Sequence, residues 1–156
     1  MRIIRIWIIV GLFVGLSIVT LSWLSRGDVS EVHAQAKALL LFGGKEHETF
    51  LGCLNCTNTS ATSVCNAYGK NGSKYQSDSI WNAYGHFGSK YSSDSPWNEY
   101  SSDAPIIVDK DGGSYGYLSE NKYIRDRTRI GWLLKVLDYQ DSKDDLDKTR
   151  DFMCND

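Results

Sequence analysis

Histidine is scarce in this chain: only His33, His47 and His86 occur, all in its first hundred residues. A histidine-rich metal centre is therefore missing, and His47-Glu48 has no second histidine to complete a zinc-protease helix. The same scarcity removes a serine hydrolase. Gly112-Gly113-Ser114-Tyr115-Gly116 has the spelling of a nucleophile elbow, but that chemistry needs a strand, a sharp turn, a helix and a later histidine. No histidine follows Ser114, and the residues after it alternate like a strand. Positive charge is not in excess either. Removing residues 1–36 takes three basic and two acidic side chains from totals of 17 and 19, which leaves 14 against 17, a net charge of −3. That balance argues against a nucleic-acid partner. Asp109-x-Asp111 opens like a calcium loop, but Gly112 comes too early and only Glu120 matches the remaining pattern. An Asp-Gly pair between two β-rich runs predicts a hairpin turn there instead. No catalytic residue, metal or cofactor is assigned.

What is present starts with hydrophobicity at the N-terminus. Arg2 and Arg5 precede a run from Ile6 to Leu24 without a charge, 19 residues long. As a helix it would be ~28 Å long, about the hydrocarbon thickness of a bilayer. Ala34-Gln35-Ala36 fits the small-x-small pattern of a signal-peptidase site. Residues 1–36 are thus read as a signal peptide or a membrane anchor. Contact with a membrane is expected only through residues 6–24, if they are retained. Either way residues 37–156 are expected outside the cytoplasm, in the periplasm, at the cell surface or beyond it. About 120 residues can bury one modest core, so a single small exported domain is expected.

Four cysteines remain: Cys53, Cys56, Cys65 and Cys154. An even count in a small exported domain reads as a disulfide framework, with three possible connectivities. A zinc site and a thioredoxin-like pair at Cys53-x-x-Cys56 are the alternatives. The zinc option lacks ribbon spacing in its second half, and the redox option lacks a following helix, since Thr57-Asn58-Thr59-Ser60 is turn-like.

The clearest pattern has a period of 16. Residues 63–78 read SVCNAYGKNGSKYQSD and residues 79–94 read SIWNAYGHFGSKYSSD, with 11 of 16 positions identical. A shortened copy, SPWNEYS, fills residues 95–101. Cys65 falls where the other copies carry Trp81 and Trp97. Serine caps and the glycines Gly69 and Gly85 predict short helical turns. The aromatics either fill the core between units or stay exposed as contacts for a glycan or peptide. On the second view Trp81, Tyr84, Trp97 and Tyr100 are the candidate ligand contacts.

The flanks predict two hairpins, Leu39–Phe42 with Phe50–Leu54 and Pro105–Val108 with Ser114–Leu118. Arg125, Arg127 and Arg129 alternate, so a strand would show three guanidiniums on one face, either solvated or holding an anion. The acid-rich stretch 138–151 could pair with them. Ser142 is the expected N-cap of a C-terminal helix over 142–152. The fold class that follows is small α+β: a disulfide-stapled domain with two β-hairpins, short helical turns and a C-terminal helix.

Leu51-Gly52-Cys53-Leu54-Asn55-Cys56, the Gly-Ser-Lys-Tyr-Ser-Ser-x-Ser-x-Trp-Asn-x-Tyr units and the run from Val108-Asp109 to Gly116-Tyr117-Leu118 together resemble an uncharacterised module of exported bacterial proteins. The resemblance spans about residues 38–135. Similar segments are appended to secreted proteases or nucleases. The resemblance implies export and a module start just after Ala36, and it carries no activity or catalytic residues with it. The expected function is a non-enzymatic envelope or extracellular binding or structural module that contacts a cell-wall polymer or another exported protein. The alternatives are an accessory component of a secreted hydrolase system and a thiol redox protein using Cys53 and Cys56.

Overall fold

The apolar segments either side of the repeat meet in one four-stranded antiparallel sheet. In the computed structural model, which describes residues 37–155, β1 (Leu40–Gly43), β2 (Thr49–Cys53), β3 (Ile106–Val108) and β4 (Ser114–Tyr117) lie in the order β2-β1-β3-β4. The signal or anchor segment and the Ala34–Ala36 site lie outside the described residues. Among those described, no helix is long and apolar enough to cross a membrane.

The two hairpins are joined through β1 and β3, which places Leu41 opposite Ile107 at the sheet centre. Both side chains are completely buried. Each outer strand then meets a non-strand segment. Cys53, at the end of β2, forms a parallel bridge with Ser63, through Cys53 N to Thr62 O and Val64 N to Cys53 O. Tyr117, in β4, is bridged to Arg127 through Tyr117 N to Asp126 O and Thr128 N to Tyr117 O. Open strand edges invite pairing with other chains, so these contacts protect the ends of the sheet. The β3–β4 turn is held by the Asp109 carboxylate, which accepts from the backbone N–H groups of Asp111 and Gly113, the Tyr115 hydroxyl and Lys37. Those bonds, led by the one from Gly113, hold Asp109 well below the ordinary carboxylate range.

The repeat departs from the expected helical turns. Residues 63–101 form a succession of hydrogen-bonded turns, with no helix assigned among them. The bonds run from Asn66 N to Ser63 O, Gly69 N to Asn66 O, Gln76 N to Ser73 O, and likewise one unit later. Serine and asparagine side chains offer the backbone local partners that compete with a helix, and here they win. Ser63, Ser79 and Ser95 each accept through Oγ from the N–H two residues on, at 3.1, 3.2 and 3.2 Å. Asn66, Asn82 and Asn98 each accept from the following tyrosine N–H and donate to a carbonyl six residues back. Gly72 and Gly88 are needed for close approach: a Cβ there would overlap the carbonyl oxygen of Asn66 or Asn82.

Successive units bury the same column. Val64, Ile80 and Pro96 face inwards, next to Cys65, Trp81 and Trp97. The Trp97 Nε1 donates to Ile80 O at 2.6 Å and the Trp81 Nε1 to Val64 O at 2.7 Å, and the two indoles stack at 5.3 Å. Leu133, Val136 and Leu137 of α1 (Gly131–Lys143) join the same core.

The C-terminal region is two helices. α2 (Leu146–Cys154) follows a break at Asp144, which is left-handed with φ 48°. The N-cap is Asp145, whose carboxylate accepts from Lys148 N, and not Ser142, which lies inside α1 and donates to Tyr139 O. The apolar run at 132–137 extends the first helix N-terminally, because its buried face needs the core. Both cysteine pairs are disulfides, Cys53–Cys56 and Cys65–Cys154, bonds suited to an oxidising compartment.

Candidate functional site

The turn architecture sorts the repeat's aromatics by side. Trp81 and Trp97 are 2% exposed, so these two candidate contacts belong to the core. Tyr84 and Tyr100 point outwards, and Tyr68, Tyr75, Tyr91 and Tyr123 do the same; all six are at least 80% exposed. An Asn-x-Tyr turn folds the asparagine back onto the unit and throws the tyrosine into solvent. Tyr68, Tyr84 and Tyr100 form one row in this way. Tyr75 and Tyr91 form a second, each with its N–H held by the serine two residues earlier. Tyr123 comes from a fourth turn of the same kind that the 16-residue period does not reveal. Ser119 holds Asn121 N, Asn121 holds Tyr123 N, and Asn121 Nδ2 donates to Ser101 O at 2.9 Å. The spelling Ser-x-Asn-x-Tyr was the available signal.

The two tyrosine rows flank three clefts whose far wall is the acidic junction of α1 and α2. The first holds about 440 Å³ and includes Tyr68, Tyr75, Asp147 and Asp151. The second, about 610 Å³, includes Tyr75, Tyr84, Asp144 and Asp147. The third, about 610 Å³, includes Tyr91, Tyr100, Glu120, Asp141 and Asp144. Lysines tie the walls together. Lys74 pairs with Asp147, Lys90 with Asp144 and Lys122 with Asp141. The acidic stretch therefore pairs with lysines of the repeat and of the following turn, where the arginines were the expected partners.

The three arginines do not share a strand face. Residues 121–126 are turns, with Asp126 left-handed at φ 58°. Arg127 is half-buried and donates from Nε to Ser119 O at 2.7 Å, while Arg125 and Arg129 are exposed. Cys53 is completely buried at the strand end, and turns rather than a helix follow Cys56, so the pair lacks the strand-to-helix setting of a thioredoxin-like motif.

Glu120 is the unusual titrating group. Its Oε1 is buried without a hydrogen-bond partner. Burial, reinforced by the carboxylates of Asp141, Asp144 and Glu99, pushes its pKa up to about 8. The folded-state value lies above the unfolded one, so the contribution to stability is complete below about pH 4 and is lost as the pH rises through 8. Glu120→Gln is therefore expected to stabilise the domain by about 1–2 kcal/mol at pH 9, after allowance for partial solvent screening, and to change little at pH 4. Thermal unfolding of both proteins at the two pH values checks this; an equal offset at both would refute it.

Comparison with known proteins finds no matching protein-family model, no matching curated protein and no matching solved structure.

Proposed function

We propose that this is an exported, non-enzymatic binding module that holds a cell-envelope polymer along its tyrosine rows. The observation that carries the proposal is the exposure of six tyrosines on turns whose hydrogen bonds fix their direction. An exposed aromatic ring gains nothing from the core, so a repeated outward row is best accounted for by what it contacts. The flanking clefts are half-open, of mixed polar and apolar surface, and repeated along the chain, which suits a chain-like ligand better than a small molecule enclosed in a single pocket. The two disulfides support a working place outside the cytoplasm.

Co-sedimentation with insoluble peptidoglycan tests this reading. The full chain is expected to pellet with the polymer. A Tyr84→Ala, Tyr91→Ala, Tyr100→Ala variant is expected to lose at least about tenfold in affinity, since stacking contacts of this kind each contribute roughly 0.5–1.5 kcal/mol. Its stability is expected to stay within about 0.5 kcal/mol per substitution, because these rings are on the surface. Equal retention of variant and parent, or no retention of the parent, would reject the proposal.

A further inference from the structure

The sheet has a second face that the core does not use. Leu41 and Ile107 point into the core, where they join Ile80, Trp97 and Leu133 in one cluster. Their neighbours along the strands point the other way. Phe50, Phe42, Ile106 and Tyr117 are successive cross-strand partners, so they form one row across all four strands. Leu40 and Val108 pair on the same face. All six are half-buried, and none belongs to the core cluster or to the side chains packed on it. The Phe42 and Phe50 rings lie 5.3 Å apart.

The row runs on into positive charge. Arg127 is bridged in parallel to Tyr117, beyond β4. Ile106, Tyr117, Ile130, Arg127 and Arg129 share a half-open cleft of about 650 Å³, in which Asp126 is the one carboxylate. Arg125 and Arg129 are exposed, and no carboxylate among the described residues forms an ion pair with any of the three arginines. The arginines precede α1, whereas Asp141, Asp144, Asp145 and Asp147 gather at its other end. The length of the helix, ~20 Å, separates the two groups. Trp132, 39% exposed, follows Ile130 in the first turn of that helix.

We infer that this face docks on an anionic phospholipid bilayer, with the apolar row at the acyl boundary and the arginines against the lipid phosphates. It adds a membrane contact to the one expected of residues 6–24, and it does not depend on the tyrosine rows. Charge selects a bilayer. An apolar centre edged by tyrosine, tryptophan and arginine has the make-up of a membrane-interface surface, and each arginine near anionic lipid adds to the attraction. A second copy would have to bring carboxylates to those arginines, and the domain keeps its acids at the far end of α1. The chain outside the described residues agrees. Residues 25–36, twelve in number, join the apolar run at 6–24 to Lys37. Fully extended they reach about 40 Å. A retained run therefore keeps a bilayer within reach of β1, whose Leu40 lies on this face.

All four native cysteines are paired, so a single introduced thiol can carry a fluorophore alone. Ser114→Cys places it on an exposed residue of the arginine cleft, and Ser142→Cys places it on the exposed C-terminal part of α1. Each labelled full chain is reconstituted into vesicles of phosphatidylcholine, alone or with an equal part of phosphatidylglycerol, and quenching by acrylamide is read. In the anionic vesicles the label at 114 is expected to be shielded and the label at 142 to stay accessible, with the shielding lost as salt rises. Arg125→Gln with Arg129→Gln, both at exposed positions, is expected to lower the ratio of shielded to open protein roughly 25-fold. Equal quenching at the two positions would overturn the proposal, as would shielding at 114 that is the same in neutral vesicles and in the arginine variant. Shielding at 114 in neutral detergent micelles without lipid would give the face to a second copy and overturn the bilayer.

Discussion

Replacing Cys65 and Cys154 together by alanine is expected to destabilise the domain by about 4 kcal/mol. The bond links the first repeat unit to the last residue of α2, a sequence separation of 89. Chain-entropy arguments assign a closed loop of that size roughly 4–5 kcal/mol, and losses of native disulfides in small domains run at about 2–5. That is a large share of the ~5–15 kcal/mol that holds a typical domain. The same change at Cys53 and Cys56, separated by 3 residues, removes much less loop entropy, about 2 kcal/mol. Denaturant unfolding of both double variants checks the order. If the short-loop variant proved the less stable, the long bond would not be the main staple. Local damage is expected too, because Arg150 reaches back to Cys65 O at 3.0 Å and Asn58 donates to Cys154 O at 2.7 Å.

Trp97→Ala is expected to cost about 3–5 kcal/mol, the range for emptying a buried aromatic site. The indole is buried against Trp81 and donates to Ile80 O, so truncation removes the stack, the packing and the partner of a buried carbonyl. Trp97→Phe separates these terms. It keeps much of the apolar area and loses the hydrogen bond, and so is expected to cost roughly 1–3 kcal/mol. Chemical unfolding at constant m-value gives both numbers. A loss below about 1 kcal/mol for the alanine variant would mean that the indole column is not part of the core. Taken with the tyrosine substitutions, this pair of results would divide the repeat's aromatics into those that hold the fold and those that face outwards.

The hairpins were legible because strand signals are local. Apolar runs of four or five residues, with Asp-Gly or Gly-Gly at their ends, leave few other options. The turn at Asp109 was legible for the same reason, since a carboxylate there can collect the N–H groups of its own loop. The repeat was visible as a period, but its conformation was not. Tyr84 and Trp81 are three apart, which on a helix puts them on one face. On a chain of serine- and asparagine-held turns they point to opposite sides. The missed fourth turn at Ser119–Tyr123 has the same origin, because it keeps the hydrogen-bonding residues and drops the tryptophan. The helix boundary at Asp144 and Asp145 was hidden because Ser142 and Asp145 are both good caps, and packing of the 132–137 segment on the core chose between them.

By itself the amino-acid sequence determined the small α+β class, the two hairpins and the even set of cysteines, since each depends on residues close together in the chain or on composition. Tertiary structure alone decided which cysteines join, which aromatics are inside and which carboxylate is forced to hold its proton. Those outcomes depend on what is brought within a few ångströms from 54 or 73 residues away, as with Lys90 and Asp144 or Lys74 and Asp147. Burial and charge at such a meeting point are properties of the assembled surface, and no single stretch of the chain contains them.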